Sequence, residues 1–110
     1  MIKREMAGYY MDFYAALLTK KQREVLSLYV QEDLTLSEIA EGAQVTRQGV
    51  HDVLKRALDK LETYERHLGM VAYHHRLLEK ASALREELSK ESLRPESLQA
   101  LQALIKEIEE

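Results

Sequence analysis

The chain has 110 residues, 45% of them apolar, no cysteine and a formal net charge of −3. That length suits one domain, or a small domain with a helical extension, and the missing cysteines exclude a disulfide framework, a zinc–thiolate centre and a thiol nucleophile. Leu, Glu, Lys, Arg and Ala dominate, with four Gly and one Pro, so an all-α fold is expected.

No apolar run approaches the ~20 residues that span a bilayer. Basic residues at the start, Lys3 and Arg4, are not followed by the apolar block of a signal peptide. A cytoplasmic protein without membrane insertion is the expectation.

The first predicted helix runs from about Lys3 to Leu18, with Met6, Tyr9, Tyr10, Phe13, Tyr14, Leu17 and Leu18 at helical spacing. Thr19 and Gln22 form a capping-box pair that opens a second helix through Val25, Leu26, Leu28 and Tyr29. The polar run Gln31-Glu32-Asp33 closes it. Thr35 and Glu38 repeat the capping-box pattern and start a short helix with Leu36, Ile39 and Ala40 on one side. Gly42 to Val45 reads as a turn. Thr46 then suits the N-cap of a fourth helix, whose Val50, Leu54, Ala57, Leu58, Leu61 and Tyr64 make one buried stripe.

Beyond Gly69, Met70, Tyr73, Leu77, Ala81, Leu84 and Leu88 line one face of a fifth helix. Pro95 suits the first turn of a sixth, in which Leu98, Leu101, Ile105 and Ile108 recur at intervals of three, four and three. The organisation expected is a helix-turn-helix domain over residues 1–66 and a helical extension over 67–110. The extension's apolar residues Met70, Tyr73, Leu77, Leu84, Leu88, Leu98, Leu101, Ile105 and Ile108 are expected to join two copies or to pack back as a hairpin.

The segment from Thr35 to about Leu61 carries the functional expectation. Two short helices meet across a tight turn, small Ala40 permits their approach, and Ile39, Val45, Val50 and Leu54 are expected to fill the angle. The second helix then offers its N-terminal outer residues to a major groove. Arg47 and Gln48 suit base readout, since Arg pairs bidentately with guanine and Gln with adenine. His51, Asp52 and Lys55 share that outer surface. Thr46 and Arg56, with Lys20, Lys21 and Arg23 of the preceding helix, suit phosphate. The stretch Thr46 to Lys60 carries a net +2 and the segment from His67 onward a net −2, so any nucleic-acid surface is local and the tail is expected to face protein.

Thr19-Lys-Lys-Gln-Arg-Glu-Val-Leu, Leu36-Ser-Glu-Ile-Ala-Glu and Val45-Thr-Arg-Gln-Gly-Val resemble region 4 of bacterial sigma-70-type factors. A longer resemblance, over roughly residues 6–75, is to the YlxM-like family, on Tyr10-Met-Asp-Phe-Tyr14, Leu18-Thr-Lys-Lys-Gln-Arg23 and Arg47-Gln-Gly-Val-His-Asp52. It implies an all-helical, dimeric, cytoplasmic bacterial protein whose genes neighbour those of the signal recognition particle GTPases. By that resemblance the particle's RNA or GTPase stands beside promoter DNA as a partner. Two residues depart from the common pattern. Gln44 occupies a turn position usually held by Gly or Asn, which tolerate positive φ. Gly49 sits in the first turn of the second helix, where Ala would be ~1 kcal/mol better for helix formation.

Other readings are weaker. A helix-turn-helix can also serve as a scaffold or protein-binding fold. The Tyr9, Tyr10, Phe13, Tyr14 stripe suits a core better than stacking on RNA bases. His74 and His75 diverge by about 100° on a helix, so no metal site is expected. Glu86, Glu87, Glu107, Glu109 and Glu110 read as solvated faces. No arrangement of carboxylates, Ser, His or Gly has catalytic spacing, so neither an enzyme nor a cofactor is expected.

Overall fold

The computed structural model describes residues 2–109; Glu110, one of the tail carboxylates, lies outside the described residues. The protein is all-α, with six α-helices among the described residues, and divides into two compact units, Met1–Gly69 and Met70–Glu110. No helix among the described residues is long and apolar enough to cross a membrane.

In the first unit, α1 spans Arg4–Tyr14 and passes into a short 3₁₀ turn at Ala15–Leu17. The helix stops before the predicted Leu18 because that residue is extended (φ −86°, ψ 157°), the conformation that delivers the chain to the next N-cap. Its N–H closes the turn on the Ala15 carbonyl at 3.1 Å. The inward face is Ala7, Met11 and Tyr14, spaced i, i+4, i+7. Only part of the aromatic stripe therefore enters the core: Tyr14 is buried, Tyr10 and Phe13 are half-buried, and Tyr9 is exposed. The Tyr14 hydroxyl donates to Glu65 Oε1 at 2.7 Å, so its polar tip is satisfied as its ring is buried. Burial pushes the Tyr10 phenol above its ordinary range, and the carboxylates of Glu65 and then Glu62 add to the shift.

Helix α2 (Lys20–Val30) and helix α3 (Leu36–Ala43) both begin with complete capping boxes. Thr19 Oγ1 accepts from Gln22 N and Gln22 Oε1 accepts from Thr19 N; Thr35 and Glu38 repeat the exchange. Each box satisfies two of the four N–H groups a helix start leaves without partners. Gly42 and Ala43, expected in the turn, are instead the last residues of α3. The turn is tighter and rests on Gln44, whose φ of 57° and ψ of 40° are left-handed.

Helix α4 (Arg47–Leu68) is the longest at 22 residues and packs against α1, α2 and α3. Thr46 caps it by accepting from Gly49 N at 3.0 Å, and Gly69, at φ 61°, ends it in the left-handed conformation that glycine adopts without strain. The expected stripe Val50, Leu54, Ala57, Leu58 and Leu61 is buried. Tyr64 is half-buried and its hydroxyl donates to the Leu17 carbonyl at 3.3 Å. Arg4 ties the start of α1 to the α2–α3 loop. Its guanidinium lies 4.0 Å over the Tyr29 ring, pairs with Asp33 at 2.7 Å and donates to the Leu34 carbonyl.

The second unit is an antiparallel pair, α5 (Met70–Ser89) and α6 (Pro95–Glu109). Ala81, Leu101 and Ile105 form its buried centre, with Leu88 and Ile108 packed against them. His74 Nε2–H donates to the Ile108 carbonyl oxygen.

Candidate nucleic-acid interface

Helices α3 and α4 form the helix-turn-helix. Its inner angle holds Ile39, Ala40 and Val50, against which Val25, Leu28, Tyr29, Leu34 and Leu36 pack. Val45, expected to fill that angle, does not: it is 46% exposed. The left-handed Gln44 turns the chain before it, so the apolar side chain is left at the surface. The Val45 N–H nevertheless closes on the Ala40 carbonyl at 3.1 Å, which holds the turn against α3.

The turn presents a continuous exposed run from Glu41 to Gln48. Thr46 has its hydroxyl oxygen engaged as the α4 cap, which leaves its O–H able to donate to an anion. Arg47 is exposed and makes no ion pair or side-chain hydrogen bond among the described residues; neither does Arg56. Gln48 is occupied within its own helix, where its Nε2 donates to Asp52 Oδ1 at 3.0 Å. Lys55 likewise pairs with Asp59 at 2.9 Å. His51 is half-buried, with Nδ1 3.6 Å from Asp52 Oδ1 and no hydrogen-bond partner for that nitrogen among the described residues.

The α2 cations divide in the same way. Lys20 sits 4.0 Å from Glu24, Arg23 donates to the Leu18 carbonyl, and Lys21 is exposed without an ion pair among the described residues. Lys60 is not among the expected site residues, yet its Nζ donates to Gln22 Oε1 at 3.2 Å and so ties α4 to the α2 capping box. Neither is Asp59, although its position four residues after Lys55 is the spacing at which helix pairs form.

These intrahelical pairs are weak obstacles. An exposed i, i+4 pair contributes about 0.3–0.5 kcal/mol, less than a charged hydrogen bond to phosphate, at about 1.5–3 kcal/mol. The carboxylates persist after the pairs open, however, so Asp52 and Asp59 lower the positive potential that the outer face of α4 can offer. No group of three or more His, Asp or Glu among the described residues is placed to hold a metal ion.

The geometry defines an all-α protein built around a helix-turn-helix whose second helix starts in solvent. The chain belongs to the family described as "Putative helix-turn-helix protein, YlxM / p13 like", which it matches over residues 1–105. It is 43% identical over 102 residues to a UPF0122 protein of Thermoanaerobacter sp. (strain X514), covering 90% of this chain and 87% of the relative. It is 41% identical over 97 residues to one from Halalkalibacterium halodurans, covering 88% and 89%. A relative from Geobacillus kaustophilus is 38% identical over 111 residues, covering 100% and 98%.

Proposed function

We propose that this chain is a non-enzymatic regulatory protein that binds nucleic acid through the start of α4, gripping phosphate more than reading bases. The observation that carries the reading is the start of α4, where Thr46, Arg47 and Gln48 are exposed and Arg47 makes no ion pair among the described residues, with Lys55 and Arg56 further along the helix. Lys20, Lys21 and Arg23 of α2 supply further groups for phosphate. Base readout is the lesser part because Gln48, the residue best suited to adenine, is paired with Asp52, whose carboxylate stays beside it after that weak hydrogen bond opens.

That same pairing favours a second reading, in which the protein is an accessory factor of the signal recognition particle with no sequence-specific DNA target. RNA duplexes are recognised mainly by shape and phosphate, which the unpaired cations suit. Electrophoretic binding of the full chain to the particle's RNA, to genomic DNA fragments and to the particle's GTPase, run in parallel, separates the two. The double change Arg47→Ala/Lys55→Ala is expected to weaken nucleic-acid binding. On duplex DNA it should also flatten the plot of log affinity against log salt, by about 0.9 in slope for each phosphate left without its cation. Unchanged binding in the double variant would remove α4 as the binding surface.

Two copies would serve DNA better than one, since paired recognition helices about 34 Å apart meet successive major grooves. The exposed Met70, Tyr73, Leu77, Leu84 and Leu98 of the second unit are the surface we assign to that pairing. Leu101 and Ile105 are taken up by the hairpin's own core, with Leu88 and Ile108 against it. A monomer in sedimentation at tens of micromolar would remove the dimer.

A further inference from the structure

Beside the first turn of α4 lies an apolar notch of about 150 Å³ between α2, α3 and α4. Its floor is buried Ile39 and Val50; Val25, Ala43, Val45 and Val53 form its walls. Gly49 and Lys21 complete the lining. This volume matches a cavity that holds a benzene-sized group, which is the scale of one large apolar side chain. Two unusual residues meet at its rim. Val45 is exposed although apolar, and Gly49 stands where a better helix former would be expected. A Cβ at Gly49 would lie 3.1 Å from the capping Thr46 Oγ1, so glycine there spares the cap while contributing no side chain to the notch.

We propose that this notch is a socket for a protein partner, taking one leucine-, isoleucine- or phenylalanine-sized side chain from an acidic segment. The apolar walls select the body of the anchor. Lys21, exposed and without an ion pair among the described residues, selects a carboxylate beside it. A flipped nucleobase has the right bulk but the wrong chemistry. Its edge carries several hydrogen-bonding groups, whereas Lys21 brings the one polar side chain of the lining, so most of those groups would be buried without partners. The socket does not depend on nucleic-acid binding by α4.

The test is a titration of the full chain, ¹⁵N- and methyl-labelled, with the acetylated and amidated peptide Glu-Glu-Leu-Glu-Glu. Four further probes are the same peptide with alanine for leucine, the peptide Lys-Lys-Leu-Lys-Lys, uridine monophosphate and adenosine monophosphate. The expected result is shift changes centred on the methyls of Val45, Val53 and Ile39 for the acidic leucine peptide. Binding should be about tenfold or more weaker for the alanine peptide, from the lost apolar burial, and weaker also for the basic one. Ala43→Leu, which fills the notch from the end of α3, should abolish these shifts while its thermal unfolding and helical circular dichroism stay close to those of the parent. Absence of shifts with the leucine peptide overturns the proposal, as does equal binding of the alanine peptide. Shifts at the same methyls from the nucleotides alone would make the notch a base pocket and overturn it equally.

Discussion

Gln44 is the residue on which the helix-turn-helix bends, and it does so in a conformation that disfavours side chains with a Cβ by roughly 1–2 kcal/mol. Glycine removes that strain but adds chain entropy in the unfolded state, at about 0.5–1 kcal/mol. Gln44→Gly is therefore expected to stabilise the protein by about 0.5–1 kcal/mol in urea denaturation; a destabilised variant would mean the Gln side chain makes stabilising interactions of its own. Glu38 is the second informative residue. Hydrogen bonds from the Thr35 backbone, then from its side chain, hold the Glu38 carboxyl below its usual range. A lowered carboxyl favours the folded state above the ordinary carboxylate range, and that contribution disappears as pH falls through the lowered value. Glu38→Gln keeps a capping oxygen but does not titrate. The stability difference between the two proteins should shrink on acidification, and a constant difference would contradict the assignment. At the recognition surface, Asp52→Asn removes a carboxylate that opposes phosphate. Nucleic-acid affinity measured by fluorescence anisotropy should rise, most clearly at low salt.

At the scale of elements, the helix starts were legible because capping chemistry is local. Thr19 with Gln22, Thr35 with Glu38, and Thr46 before the Val50 stripe all mark their helices from residues within one turn. The candidate binding residues Thr46 to Arg56 were legible for the same reason, since helical spacing sets which of them face outward. What escaped was decided at long range or by the turn itself. The end of α1 at Tyr14 depends on Leu18 becoming extended, and the exposure of Val45 depends on the left-handed Gln44. Arg4 gathers Tyr29, Asp33 and Leu34 from about thirty residues away, a set with no periodic signature. Tyr14 and Glu65, fifty-one positions apart, are the clearest case. Tyr14→Phe leaves the packing ring in place and removes the hydrogen bond that joins α1 to α4. It is expected to cost about 1–2 kcal/mol by denaturation, and a neutral effect would show that the carboxylate is fully satisfied by water.

For the whole molecule, charge is unevenly divided: net +2 over Thr46 to Lys60, which covers most of α4, and net −2 from His67 onward. An acidic chain can thus carry a local cationic footprint, and nucleic-acid binding should fall steeply with salt in spite of the overall −3. The first unit is organised about α4, which α1, α2 and α3 all touch. Lys60 makes that dependence specific, because the Gln22 oxygen it reaches is also the acceptor that completes the α2 cap. Positions 19, 22 and 60 are consequently tied in descent. A lineage that exchanges Gln22 for a residue without an acceptor loosens a helix start and a helix–helix link together. Substitutions at the three sites should therefore appear in company across related proteins, although position 60 lies two helices further along the chain.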